Sequence, residues 1–149
     1  MHRELWIPQP VEAVFDFFSR AENLGRITPE WLNFQMLTPA TVEMKAGTLL
    51  DYRLRVHGIP VRWRTRIVEW DPPHGFVDVQ ERGPYKLWHH THRFVASGSG
   101  TTMTDDVRYA LPFGILGALV NWLQVRRDVN QIFDYRTEQI RWILPGSRG

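Results

Sequence analysis

The chain has 149 residues, with 18 Lys and Arg against 16 Asp and Glu, 6 His and no Cys. That length suits one domain over 1–149 with one contiguous core, and 43% hydrophobic against 23% charged residues excludes disorder as the main state. The absence of Cys excludes disulfides, thiol catalysis and thiolate metal sites, and a net charge of +2 means that the pI near 9.3 overstates basicity.

A short strand is expected over Arg3–Ile7, stopped by Pro8. Pro10 fits a first helical position, and Val11, Val14, Phe15 and Phe18 then follow at helical spacing, which predicts a short amphipathic helix to Arg20. A second helical piece is expected over Glu22–Ile27 and a weak strand over Leu32–Thr38. From Gly47 the period changes to two. Leu50, Tyr52, Leu54 and Val56 alternate with polar residues, as do Val61, Trp63, Thr65 and Ile67. Gly58-Ile59 between them reads as a type II′ turn, which would set Leu54 opposite Trp63 and Tyr52 opposite Thr65. It would also set Arg55 opposite Arg62, Arg53 opposite Arg64 and Asp51 opposite Arg66.

Three more strands are expected over Gly75–Arg82, Lys86–Ala96 and Thr101–Leu111. Gly98-Ser99 fits a type II′ turn that places His92 opposite Asp105, His90 opposite Val107 and Trp88 opposite Tyr109. The turn at Gly83-Pro84-Tyr85 is open to two registers. A three-residue loop puts Asp78 opposite His90 and Gln80 opposite Trp88, facing inward; a two-residue turn puts Val77 and Val79 there instead. Glu81 opposite Arg64 would favour the first. After Pro112 a long helix is expected over Ile115–Ile143, with an apolar stripe through Ile115, Leu119, Trp122, Val125, Val129, Phe133, Ile140 and Ile143. No apolar run has signal-peptide or bilayer length, so a cytoplasmic protein is expected.

This order of elements resembles the helix-grip fold of the START-like superfamily, which includes birch-allergen-like proteins, polyketide cyclases and coenzyme-Q-binding proteins. The local residues sharpen the resemblance. Gly83-Pro84-Tyr85, Trp88, His90, His92 and Phe94 match the GPY-x-x-W-x-H-x-H-x-F strand of a bacterial family of ligand-binding SRPBCC proteins, or "cyclase/dehydrases". Asp105, Val107, Tyr109 and Leu111-Pro112-Phe113-Gly114 match its D-x-V-x-Y-x-L-P-F-G segment, and Phe133, Tyr135 and Arg136 match an IF-x-Y-R signature. The resemblance implies an α+β fold: a curved antiparallel sheet of about seven strands around a long C-terminal helix, with two short helices after the first strand. Fold alone does not choose among lipid transport, hormone binding and cyclase chemistry.

His90 and His92 lie two apart on a strand and so share a face. As metal ligands they need a third donor; Asp105 is available, but His57 is remote, and the expectation is no metal. As acid/base catalysts, His92 would be oriented by Asp105. The reading favoured is a buried polar ladder that satisfies its own hydrogen bonds and lines one wall of a cavity. Arg136 falls on the apolar stripe, so its guanidinium either takes Asp105 or Asp78 as partner or reaches water past a buried stem. The arginines of the first hairpin read as a solvated outer face partly neutralised by Glu69 and Glu81. No aromatic residue alternates with them, so a base-stacking platform is missing and nucleic acid is not expected. There is no Gly-rich phosphate loop, Ser nucleophile elbow or HExxH.

The expectation is therefore a binding protein for a hydrophobic small molecule, lipid, isoprenoid or polyketide-like, without a cofactor. Tyr52, Trp63, Gln80, Trp88, His90, His92, Asp105, Tyr109, Phe133 and Arg136 are its candidate ligand contacts. The rival is a cyclase or dehydratase using His92 and Asp105, and a third reading is a peripheral membrane or partner contact through the arginines. Oligomeric state stays open.

Overall fold

The computed structural model describes residues 1–112 and 115–146, with the backbone alone over 115–122. The elements are β1 (His2–Ile7), α1 (Val11–Phe18), α2 (Asn23–Arg26), a 3-10 turn (Glu30–Leu32), β2 (Gln35–Met36), β3 (Leu49–Val56), β4 (Ile59–Asp71), β5 (Gly75–Arg82), β6 (Leu87–Ser97), β7 (Gly100–Ala110) and α3 (Ile115–Ile143). The seven strands form one antiparallel sheet in the order β1-β7-β6-β5-β4-β3-β2. A sheet with one apolar face and one long helix buries both when the sheet curves around the helix, which is the expected helix-grip arrangement.

Several expected boundaries move. Pro10 caps α1 rather than entering it, and the helix ends at Phe18, two residues before Arg20. The weak strand expected from Leu32 shrinks to Gln35–Met36, because Asn33 takes a left-handed conformation at φ 45° and breaks the chain direction after the 3-10 turn.

The β6–β7 register is the expected one: His92 faces Asp105, His90 faces Val107 and Trp88 faces Tyr109. The β3–β4 register differs from expectation by two residues. Tyr52 faces Trp63, Leu54 faces Val61, Asp51 faces Arg64 and Arg53 faces Arg62. The turn residues are His57 and Gly58, at φ 50° and 79°, which is the positive-φ pair of a type I′ turn. Moving the turn by one residue changes every partner by two, so the inward faces stay as expected. His57 tolerates its left-handed backbone while its Nε2 lies 2.7 Å from Asp128 Oδ2 on α3.

Across β5–β6, Asp78 faces His90, as the three-residue loop requires. The outer-face charge argument for it does not hold. Arg64 faces Arg82 across a register shift and is held by Asp51 through two hydrogen bonds of 2.8 and 2.9 Å, while Glu81 pairs with Arg66.

The helix α3 is tethered to opposite ends of the sheet. Arg3 on β1 reaches Asn130 and Asp134, each at 2.9 Å, and His57 at the β3–β4 turn reaches Asp128. Buried apolar residues fall into two clusters. The larger joins α1 to the sheet through Val14, Phe15, Phe94, Met103 and Ile67 and takes in Ile140 of α3; the smaller is Val107, Val129 and Phe133. Each such side chain contributes about 1.5–3 kcal/mol on burial. The interior between sheet and helix is not filled throughout, and the remaining space is the candidate site.

Candidate functional site

A cavity of about 500 Å³ is walled by the sheet's inner face, α1, α2 and α3. Small-molecule sites span about 300–1,000 Å³. Strand alternation points every second side chain inward, which brings Tyr52 of β3, Trp63 of β4 and Trp88 of β6 to one wall. Tyr52 and Trp63 stack at 5.9 Å between ring centroids, and Trp88 meets Trp63 edge to face at 5.4 Å. The Tyr52 hydroxyl lies 3.1 Å from Thr65 Oγ1, and burial holds its ionisation well above the ordinary tyrosine range. The Trp63 Nε1–H is buried without an acceptor.

A cluster of four ionisable side chains from β5, β6 and β7 meets the cavity through Asp78, His90 and His92, with Asp105 behind them. Asp105 Oδ1 lies 2.8 Å from His90 Nε2 and 2.8 Å from His92 Nδ1; the first contact has hydrogen-bond geometry, while the second is close but poorly aligned. On the other side of the imidazoles, Asp78 Oδ2 accepts from His92 Nε2 at 3.0 Å and lies 3.6 Å from His90 Nδ1. The two rings are 3.8 Å apart. Phe76 stacks on His92 at 4.2 Å, and Phe133 meets His90 edge-on at 5.5 Å. Gly75 lets β5 approach β6, because a Cβ there would collide with the His92 carbonyl oxygen.

The charges follow from this geometry. Burial raises both carboxylates, but the neighbouring histidines outweigh it and hold Asp105 and Asp78 below the ordinary carboxylate range. Burial lowers His92, yet its contacts with Asp105 and Asp78 win and raise it. Burial and the charge of His92 lower His90. The surroundings therefore favour the charged form of His92 and the neutral form of His90 beside two carboxylates. Arg136, whose charge acts on Asp78, adds a guanidinium beside the set. Its guanidinium lies 4.8 Å from the Phe133 ring centroid, and its Nε is buried without a hydrogen-bond partner.

Seven expected contacts line the cavity: Tyr52, Trp63, Trp88, His90, His92, Phe133 and Arg136. Three do not. Asp105 sits behind the histidines. The Gln80 amide donates to the Tyr85 carbonyl at 2.7 Å and accepts from its N–H at 3.2 Å, so it closes the β5–β6 loop. Tyr109 packs behind the wall against Trp88 and Tyr85. Conversely, Asp78, Phe76, Phe34 and Tyr85 line the cavity without being among the expected contacts. Phe76 was within reach, because it shares the strand face of Asp78. Leu111 and Pro112 also line the cavity; Phe113 and Gly114 lie outside the described residues. On the outer face, Arg53 and Arg62 face each other, while Arg64 and Arg66 are neutralised by Asp51 and Glu81. Among the described residues no helix is long and apolar enough to cross a membrane.

A family model described as polyketide cyclase / dehydrase and lipid transport matches residues 7–138. No curated protein matches the chain by sequence. Among solved structures, a protein of Thermus thermophilus is 22% identical over 94% of this chain and 95% of its own, with a TM-score of 0.71. The nucleoside-diphosphate sugar epimerase of Corynebacterium glutamicum is 25% identical with a TM-score of 0.69; the match covers 94% of this chain but only 28% of the epimerase. Major latex-like protein 151 of Panax ginseng is 12% identical over 97% of this chain and 96% of its own, with a TM-score of 0.66.

Proposed function

Because the chain belongs to the polyketide cyclase / dehydrase and lipid transport family, we propose that it binds and carries a hydrophobic small molecule between the sheet and α3. The observation that carries this reading is the cavity itself: about 500 Å³, walled largely by aromatic and aliphatic side chains, with the ionisable pair His90 and His92, Asp78 and Arg136 brought to it by β5, β6 and α3. A lipid, isoprenoid or polyketide-like body gains affinity from the rings of Tyr52, Trp63 and Trp88. Its polar end is an oxygen acceptor, carbonyl, carboxylate or phenol, turned toward the guanidinium of Arg136. Native mass spectrometry of the protein purified from its own host tests the reading. A bound organic mass that the extracted ligand reproduces is expected; a chain that emerges empty and takes up no hydrophobic compound refutes it.

The second reading, cyclase or dehydratase chemistry by His92 and Asp105, draws support from the family description. The geometry favours it less. Both ring nitrogens of His92 face carboxylates, which leaves neither directed at a substrate. Under that reading His92→Gln abolishes turnover and leaves binding largely intact; under the carrier reading there is no turnover to lose.

A further inference from the structure

We propose that Asp78, His90 and His92 form a binding site for one divalent transition-metal ion of the zinc class, with Asp105 as the residue that orients both imidazoles. Oδ2 of Asp78, Nδ1 of His90 and Nε2 of His92 converge on one side of the rings. The donor atoms of these three residues lie within 4.8 Å of one another. With metal–donor distances of about 2.0–2.1 Å, two ligands of a tetrahedral ion lie about 3.3 Å apart. The observed Asp78–His90 and Asp78–His92 separations of 3.6 and 3.0 Å bracket that value, and the two imidazole donors lie within 4.8 Å of each other, so an ion would draw the two rings' donors together.

The other side of the rings supplies the stronger argument. Each imidazole turns its remaining nitrogen to the same oxygen of Asp105, at 2.8 Å in both cases. A carboxylate behind a ligating histidine fixes its tautomer and ring orientation and raises its basicity. Here one carboxylate hydrogen-bonds His90 and lies close to His92 at a poorer angle, which a small turn of that ring would correct, and one flanking ring each, Phe76 against His92 and Phe133 against His90, holds the pair in place. The sequence offered Asp105 as the third donor. In the structure Asp105 stands behind the pair and Asp78, from the neighbouring strand, stands in front.

The charge and proton balance is simple. Coordination needs the lone pair of His92 Nε2, so the proton that nitrogen donates to Asp78 must leave it, to solvent from the charged ring or to Nδ1 beside Asp105 in the neutral one. Two positive charges then face the carboxylates of Asp78 and Asp105. Three protein ligands leave a fourth position. Asp78, His90 and His92 all line the cavity, so that position opens toward whatever the cavity holds.

The test is a titration of the untagged, chelator-treated full chain with zinc chloride by calorimetry, and with cobalt chloride by visible absorption. One equivalent is expected to bind, and cobalt is expected to give the intense bands of a tetrahedral ion. Asp78→Asn should weaken zinc by about 100-fold or more, and Asp105→Asn by about 10–100-fold. His57→Gln, at the exposed β3–β4 turn, should change nothing. Cobalt binding to the wild-type chain needs no variant, so the proposal stays testable if a substitution disturbs folding. It is overturned by absence of one-to-one binding, by the weak spectrum of six-coordinate cobalt, or by zinc affinity unchanged in a folded Asp78→Asn variant.

Discussion

The two polar regions of the cavity wall meet the cost of burial in opposite ways. On β5, β6 and β7, Asp78, His90, His92 and Asp105 set carboxylate against imidazole, with one nitrogen, His92 Nδ1, close to Asp105 but poorly aligned for a hydrogen bond. On β4, the Trp63 indole N–H is buried with no acceptor at all. The first region offsets charge with charge among its own members; the second is a neutral donor left unpaired. Removing a member should therefore have opposite consequences, because an unpaired buried group costs about 1–3 kcal/mol, and more when it is charged.

The largest effect is expected from Asp105→Ala. It leaves both imidazoles with Asp78 as their one remaining carboxylate in the set and should lower stability by about 3–5 kcal/mol in urea unfolding. A loss below about 1 kcal/mol would mean that the four side chains are not a coupled set. Gly75→Ala reaches the same set through the backbone. The added Cβ must push β6 away at His92, and such overpacking costs about 1–3 kcal/mol. Imidazole proton signals should move with it; unchanged signals and stability would show that the strands approach less closely. Trp63→Phe is the opposite case. It keeps an aromatic ring in the wall and deletes the donor that lacks a partner, so melting should stay level or rise. A loss of more than about 2 kcal/mol would place a missing acceptor at that indole and break the contrast. The smallest effect is expected on the outer face, where Arg62→Gln relieves the charge opposite Arg53 and should stay within about 0.5 kcal/mol.

What the sequence revealed of this contrast depends on how local each constraint is. The β6–β7 pairing was legible because Gly98 supplies the one positive φ that a type II′ turn needs, and it placed His92 on Asp105. The β3–β4 pairing was off by two because the turn uses His57 at positive φ. What accompanies that conformation is a contact with Asp128, far along the chain on α3. Asp78 reached its place for a reason the sequence misattributed, since Glu81 takes Arg66 and not Arg64. Gln80 and Tyr109 had the right strand faces, yet alternation says only which way a side chain points. Whether it reaches open space or fills a loop depends on the path of the β5–β6 turn. Arg136 was placed on the cavity side of α3 by periodicity alone, while its seat above Phe133 is tertiary.

The most direct test of the central claim is occupancy of the cavity by a hydrophobic molecule. Ile132 lines the cavity from α3 and is partly exposed, so Ile132→Trp adds bulk there without crowding a buried core position. Titration of the wild-type chain with a solvatochromic fluorophore should show one saturable site, displaced by a long-chain carboxylic acid. The Ile132→Trp variant should bind at least about tenfold more weakly with its melting temperature kept, a difference of about 1.4 kcal/mol. Equal binding by both chains, or no saturable binding by the wild type, would contradict the claim that this space is a ligand site.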